Sequence, residues 1–133
     1  MEGFSTWWQQ LGLVMAGGAL GAALRFMVGD AMLRQFGNGF PWGTLTVNMV
    51  GAFAAGYVMV WLQSRGNAAV YWRAFLIVGI IGGLTTFSSM VLESLVFTRT
   101  DRGLMLPLYL GVSLIGGLLL VWAGARVAEV WRW

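Results

Sequence analysis

The sequence has 133 residues, 59% hydrophobic and 10% charged, whereas soluble domains carry roughly a quarter charged residues. Its eight basic residues are all arginine; with five acids they give a net charge of +3, and there is no histidine or cysteine. Lacking imidazole and thiolate, the chain has no means of building a zinc site, a disulfide, a Cys-His dyad or a Ser-His-Asp triad, and no enzyme is expected. The arginines stand singly between apolar runs rather than on a basic face, so nucleic acid is not an expected partner, and membrane lipid is.

Uncharged runs of 22, 30, 19 and 23 residues separate Glu2 from Arg25, Arg34 from Arg65, Arg73 from Glu93, and Arg102 from Arg126. A bilayer core about 30 Å thick is crossed by roughly 20 helical residues. The expected fold is therefore an all-α membrane protein, one domain over residues 1–133 with four transmembrane helices near 9–33, 43–63, 74–97 and 104–126. The runs do not alternate apolar with polar residues, which argues against strands. The first run starts beside an acid and has no basic leader, so it reads as a retained span rather than a cleaved signal. Trp7, Trp8, Trp42, Trp61, Trp72, Trp122, Trp131 and Trp133 fall near span ends, where indole rings favour the headgroup region.

In the first span Arg25 sits in an apolar context and is expected to snorkel or to tie a loop down. The second opens with GTLTVN, which places Thr44 and Asn48 four residues apart on one face. The third reads GIIGGLTTFSSMVLE; two glycines, two threonines and two serines make a poor helix, because the hydroxyls compete for backbone partners. A break near the midplane, around residues 82–86, is predicted, with freed carbonyls able to hold a cation. Glu93 follows about two turns later and is suited either to an arginine partner or to a vestibule. Tyr109 and Ser113 share a face of the fourth span. With Thr44, Asn48, Ser88 and Ser89 they would form a line of neutral donors, which suits an anion without trapping it at a fixed countercharge.

Four helices enclose no natural aqueous path, so an oligomer is expected. Small residues four apart, Gly17 with Gly21, Ala52 with Gly56, Gly79 with Gly83 and Ser113 with Gly117, fit either packing within a subunit or a dimer face. Arg65, Arg73, Arg126 and Arg132 fall on one side of the membrane, and Arg34, Arg99 and Arg102 on the other with Arg25 nearer to it. This near tie gives weak orientation signals and points to insertion both ways up, the alternative being a unique orientation set by one or two dominant charges.

GGALGAALRF at 17–26, GTLTVN at 43–48 and GGLTTFSS at 82–89, followed by a tyrosine in the fourth span, together resemble the bacterial Fluc (CrcB) fluoride channels, over essentially the whole chain. The resemblance implies passive export of cytoplasmic fluoride across the bacterial inner membrane by an antiparallel, dual-topology homodimer. Such a dimer holds two pores and a central structural sodium ion where the broken third helices cross. It further implies that Gly82 and Thr85 offer carbonyls to the sodium, that Asn48 is the pore asparagine, and that Phe87 is the first of two pore phenylalanines. Ser88, Ser89, Thr44, Tyr109, Ser113 and Glu93 would lie along the ion pathway, with Arg25 as the structural first-helix arginine. The family pattern TTFSTFS reads TTFSSMV here, so Met90 replaces the second phenylalanine and Val91 the next serine, and Gly117 stands where a serine is frequent. Met90 is expected to fill the second aromatic site by bulk.

Two other functions compete. A small dual-topology multidrug exporter would need a buried acid in its first span, and Leu11 to Leu24 contains none. A non-transporting assembly subunit would account for the glycines but not for the midspan polar set.

Overall fold

In the computed structural model, which describes residues 2–131, the chain is helical almost throughout. Arg132 and Trp133, counted above among the flanking arginines and tryptophans, lie outside the described residues. Helix α1 spans Glu2–Phe36 and α2 spans Trp42–Leu62. The third segment runs through a 3-10 turn at Gly66–Ala68, α3 at Ala69–Trp72, a π-helix at Arg73–Ile81, α4 at Gly82–Leu84 and α5 at Phe87–Arg99. Helix α6, Met105–Val130, completes the set. Four stretches are long and apolar enough to cross a membrane, Ser5–Phe36, Trp42–Leu62, Gly66–Arg99 and Met105–Val130.

Local chemistry sets the ends. Helix α1 stops where Gly37 turns left-handed at φ 73° and returns its N–H to the Leu33 carbonyl at 2.9 Å, the usual glycine C-terminal cap. Asp30 and Arg34 pair at 3.0 Å on the last turns. Pro41 precedes α2, and Pro107 lies in the first turn of α6, where its missing N–H has no helical partner to lose.

Two helix pairs make the bulk of the packing: α2 with α6, and α1 with the π-helix and α4. Both rely on absent side chains. A Cβ added to Gly79 would lie 2.9 Å from the Gly17 Cα, and one on Gly83 would lie 2.6 Å from the Gly18 carbonyl oxygen. A Cβ on Gly56 would lie 2.8 Å from the Val121 carbonyl carbon, and one on Gly124 would lie 3.0 Å from that of Phe53. Close backbone approach of this kind replaces the hydrophobic drive that lipid does not supply. The spacing of small residues left two uses open, and Gly17, Gly21, Gly56, Gly79 and Gly83 all serve packing within the chain. A Cβ on Gly117 would instead lie 3.9 Å from the Met49 methyl, in ordinary contact.

The third segment departs from a plain helix. Leu84 ends one helical stretch and Phe87 begins the next, with Thr85 (φ −81°, ψ 153°) and Thr86 (φ −148°, ψ 113°) extended between them. The non-helical backbone is thus the two threonines, while Gly82 and Gly83, expected inside the irregular stretch, keep helical geometry. Gly83 lets α1 approach, which a glycine achieves without leaving the helix. Beyond this point the core gathers Met90, Phe97 and Tyr109 against Phe40, Leu45, Met105 and Leu110.

Candidate functional site

The extended pair is held by side chains that intercept helical hydrogen bonds. Asn48, a turn and a half into α2, donates from Nδ2 to the Thr86 carbonyl at 3.2 Å and accepts the Thr86 N–H on Oδ1 at 2.7 Å. The amide thus pairs with Thr86 as a neighbouring strand would. In an unbroken helix that N–H would serve the Gly82 carbonyl. The Ser89 N–H, which would serve Thr85, goes to the Thr86 hydroxyl at 3.1 Å, so Thr86 is the N-cap of α5. From α1, Arg25 Nε donates to the Gly83 carbonyl at 3.0 Å. Gly82 and Thr85 therefore lose these two ladder donors; the break also takes those of Gly83, whose carbonyl has received the arginine, and of Leu84. Thr85 returns its own N–H and its hydroxyl to the Ile81 carbonyl, each at 2.9 Å. Its methyl occupies the space that a side chain on Gly51 would fill.

Thr44, one turn before Asn48, makes a second link between α2 and α5 by donating its hydroxyl to Glu93 Oε1 at 2.6 Å. The Tyr109 hydroxyl donates to the other carboxylate oxygen at 2.7 Å. Glu93 thus has two hydroxyl donors, and no arginine pairs with it among the described residues. Tyr109 is completely buried, with Phe40 edge-on at 5.6 Å and Phe97 at 5.9 Å. Thr44, Glu93, Phe40 and Phe97 border a hollow of about 320 Å³ that is also lined by Trp42 and Pro41.

Two further hollows continue the polar seam. One of about 300 Å³ is lined by Arg25, Thr44, Thr86 and Ser89. The other, about 340 Å³, lies between α2, α5 and α6 and is lined by Asn48, Thr86, Phe87, Met90, Ser113 and Gly117. Thr44 borders the first two and Thr86 the last two. The Ser113 hydroxyl is buried in the last with no hydrogen-bond partner among the described residues. A bare hydroxyl in an apolar setting is costly, which marks this groove as a place for a polar ligand.

Two pathway residues differ in exposure. Phe87 is 75% exposed on this chain and Met90 only 6%. Three residues leave two helical side chains about 60° apart; here one stands at the rim of the groove and the other packs in the core with Phe97 and Tyr109. Ser88 is exposed, with its hydroxyl 3.3 Å from that of Thr86, and Ser89 is half-buried. Thr86 falls inside the predicted break, but its capping role escaped the sequence reading, as did Phe40, Phe97 and Met49. A threonine three residues before Ser89 is an N-cap signal for Thr86, whereas nothing in the pattern around Phe40 marks it as a wall of the site.

The family model described as CrcB-like protein, Camphor Resistance (CrcB), matches residues 12–125. A protein of Xanthomonas axonopodis pv. citri named "Fluoride-specific ion channel FluC" is 59% identical over 92% of this chain and 92% of its own length. One of the same name from Xylella fastidiosa strain 9a5c is 59% identical over 91% of this chain and 85% of its own. Another, from Hydrogenovibrio crunogenus, is 44% identical over 86% of this chain and 87% of its own.

Proposed function

The chain belongs to the CrcB family, and from that premise we infer that it is a passive, fluoride-specific ion channel that exports fluoride from the cytoplasm across the bacterial inner membrane. The observation that carries this reading is 59% identity, over nearly the full length, to proteins named as such channels. The site's chemistry agrees. Fluoride is small and holds water tightly, so a path for it must replace hydration with donors yet lack a fixed cation that would retain it. The midspan groove is lined by Asn48, Phe87 and Ser113, whose hydroxyl has no partner among the described residues, and the positive rim of a phenyl ring is the part suited to an anion. Thr44, Tyr109, Glu93, Ser88 and Ser89 extend this path towards the membrane surface, and Met90 backs it.

The working unit in this reading is an antiparallel, dual-topology homodimer with two pores and the third segment broken near the bilayer midplane. A second copy would cover part of the exposed rim at Phe87, which a single chain leaves open. Where the two third segments cross, the carbonyls of Gly82 and Thr85 would hold one sodium ion. Supporting this, their ladder donors are taken by Asn48 and by the Thr86 hydroxyl, and hard cations favour such neutral oxygen ligands. The bound ion would neutralise the carbonyl dipoles and pin the crossing, with Arg25 fixing the adjacent turn as a structural residue.

Fluoride efflux from liposomes, recorded with a fluoride electrode, tests the function. Release much faster than that of chloride, with no applied proton gradient, is expected. Equal release of both anions, or release only when protons are driven, would refute it.

A further inference from the structure

On the face of the membrane that carries the α2–α3 connection lies a hollow of about 370 Å³, remote from the polar seam. It is formed by the C-terminal ends of α2 and α6 and lined by Tyr57, Val60, Trp61, Ser64, Arg65, Ala128 and Trp131. Its chemistry is graded along the helices. On α2 Tyr57 lies deepest, Val60 about one turn further out is buried together with Ala128 of α6, and Trp61, Ser64 and Arg65 follow towards the outer end, where Trp131 ends α6. The Arg65 guanidinium lies over the Trp61 ring, its Cζ 4.0 Å from the ring centre. Trp61 is itself held edge-on by Trp72 at 5.5 Å, so the platform under the arginine is braced from the third segment.

A stacked guanidinium uses its face and leaves its edge N–H groups, which match two oxygens of a phosphate. Arg65 makes no ion pair among the described residues, in contrast with Arg34 on Asp30 and Arg126 on Glu129. The last carbonyls of α2 lie nearby, but the Ser64 and Arg65 N–H groups already serve those of Trp61 and Leu62, so capping the helix leaves the guanidinium edge unspent. An arginine held on an indole at a span end, above an apolar floor, fits one occupant: a phospholipid whose phosphate meets Arg65 while its glycerol and upper chain lie along Tyr57 and Val60.

We propose that this hollow is a binding site for an anionic phospholipid, with Arg65 as the phosphate ligand. In a dual-topology dimer each leaflet would present one copy. The site does not depend on the ion-pathway assignment, since none of its residues borders the pathway.

Native mass spectrometry of the detergent-extracted dimer tests this with phosphatidylglycerol, phosphatidylcholine and soluble glycerol phosphate as probes. Retention of phosphatidylglycerol is expected on the wild type, with Arg65→Gln reducing it about fivefold, the effect of one arginine at an anionic surface. Arg65→Lys should recover only part of the loss, because an ammonium lacks the planar fork. Arg34→Gln removes the same charge from a paired residue and should leave retention unchanged. Equal losses in Arg65→Gln and Arg34→Gln would reduce the effect to net charge and overturn the site. Undiminished retention in Arg65→Gln would overturn it too, as would equal retention of phosphatidylcholine. Glycerol phosphate bound as well as the lipid would show a phosphate site without the lipid floor and likewise reject the proposal.

Discussion

Replacing Asn48 separates the contact its amide makes with the backbone from the role proposed for it towards the ion. In Asn48→Ala the Thr86 N–H loses its acceptor at 2.7 Å, and the Gly82 carbonyl, its helical alternative, is out of register while Thr85 stays extended. An unsatisfied buried N–H costs about 1–3 kcal/mol. The Thr86 carbonyl, donated to at 3.2 Å, still caps α5 and adds less than about 1 kcal/mol. A loss of about 2–3 kcal/mol is expected, seen as a lower unfolding midpoint of the detergent-solubilised protein. Asn48→Asp keeps an acceptor for Thr86 and so should lose less stability than alanine. It nevertheless places a negative charge in the groove, and two like charges 4 Å apart at an effective permittivity of about 20 repel by about 4 kcal/mol, a factor of roughly a thousand in ion occupancy. Liposome efflux should therefore be abolished in Asn48→Asp even where the protein remains folded and dimeric. Wild-type efflux from folded Asn48→Asp would remove Asn48 from the pathway, and unaltered stability in Asn48→Ala would show that its amide does not hold the extended pair.

Three further outcomes are expected. A single cysteine placed in the α1–α2 connection of this cysteine-free chain should be labelled by an impermeant maleimide from both sides of the cell membrane; labelling from one side only would exclude dual topology. Phe87→Ile should abolish fluoride efflux by removing the ring edge, whereas Met90→Phe should keep conduction but lower stability by about 1–3 kcal/mol through overpacking against Phe97 and Tyr109. The opposite pattern, efflux lost in Met90→Phe and kept in Phe87→Ile, would contradict the placement of the aromatic site. Exchange of sodium for a large organic cation should weaken dimer association by size-exclusion analysis, and indifference to the exchange would count against a cation at Gly82 and Thr85.

The sequence carried the spans because the spacing of charges records where lipid lies: each of the four long apolar stretches overlaps one of the charge-free runs. It also carried the identities along the polar seam, since a threonine, asparagine or serine at that depth has few structural excuses. Pairing was less legible. That Asn48 meets Thr86, and Thr44 meets Glu93, depends on how α2 lies against the third segment, where Gly51 leaves room for the Thr85 side chain, and against α6, where Gly56 and Gly124 let the two backbones close. Nor does residue type reveal the π-helical winding of residues 73–81, whose apolar side chains suit an α-helix equally well. Even the irregular backbone fell later than the glycines suggested, because Thr86 serves as an N-cap and Asn48 as a surrogate strand, and each needs an extended residue at 85–86 rather than at 82–83.

That displacement bears on how the site works. With the opening at the threonines, the groups that take the diverted N–H donors have second roles. Asn48 closes on Thr86 from α2, where Thr44 also reaches Glu93; the Thr86 hydroxyl starts α5 and contacts Ser88; Arg25 links α1 to Gly83. The contacts that keep Thr85 and Thr86 extended are thus the same contacts that fix α1, α2 and α5 around the groove. A substitution in the seam should accordingly disturb stability and conduction together, except where, as in Asn48→Asp, an acceptor is kept and only the charge is changed.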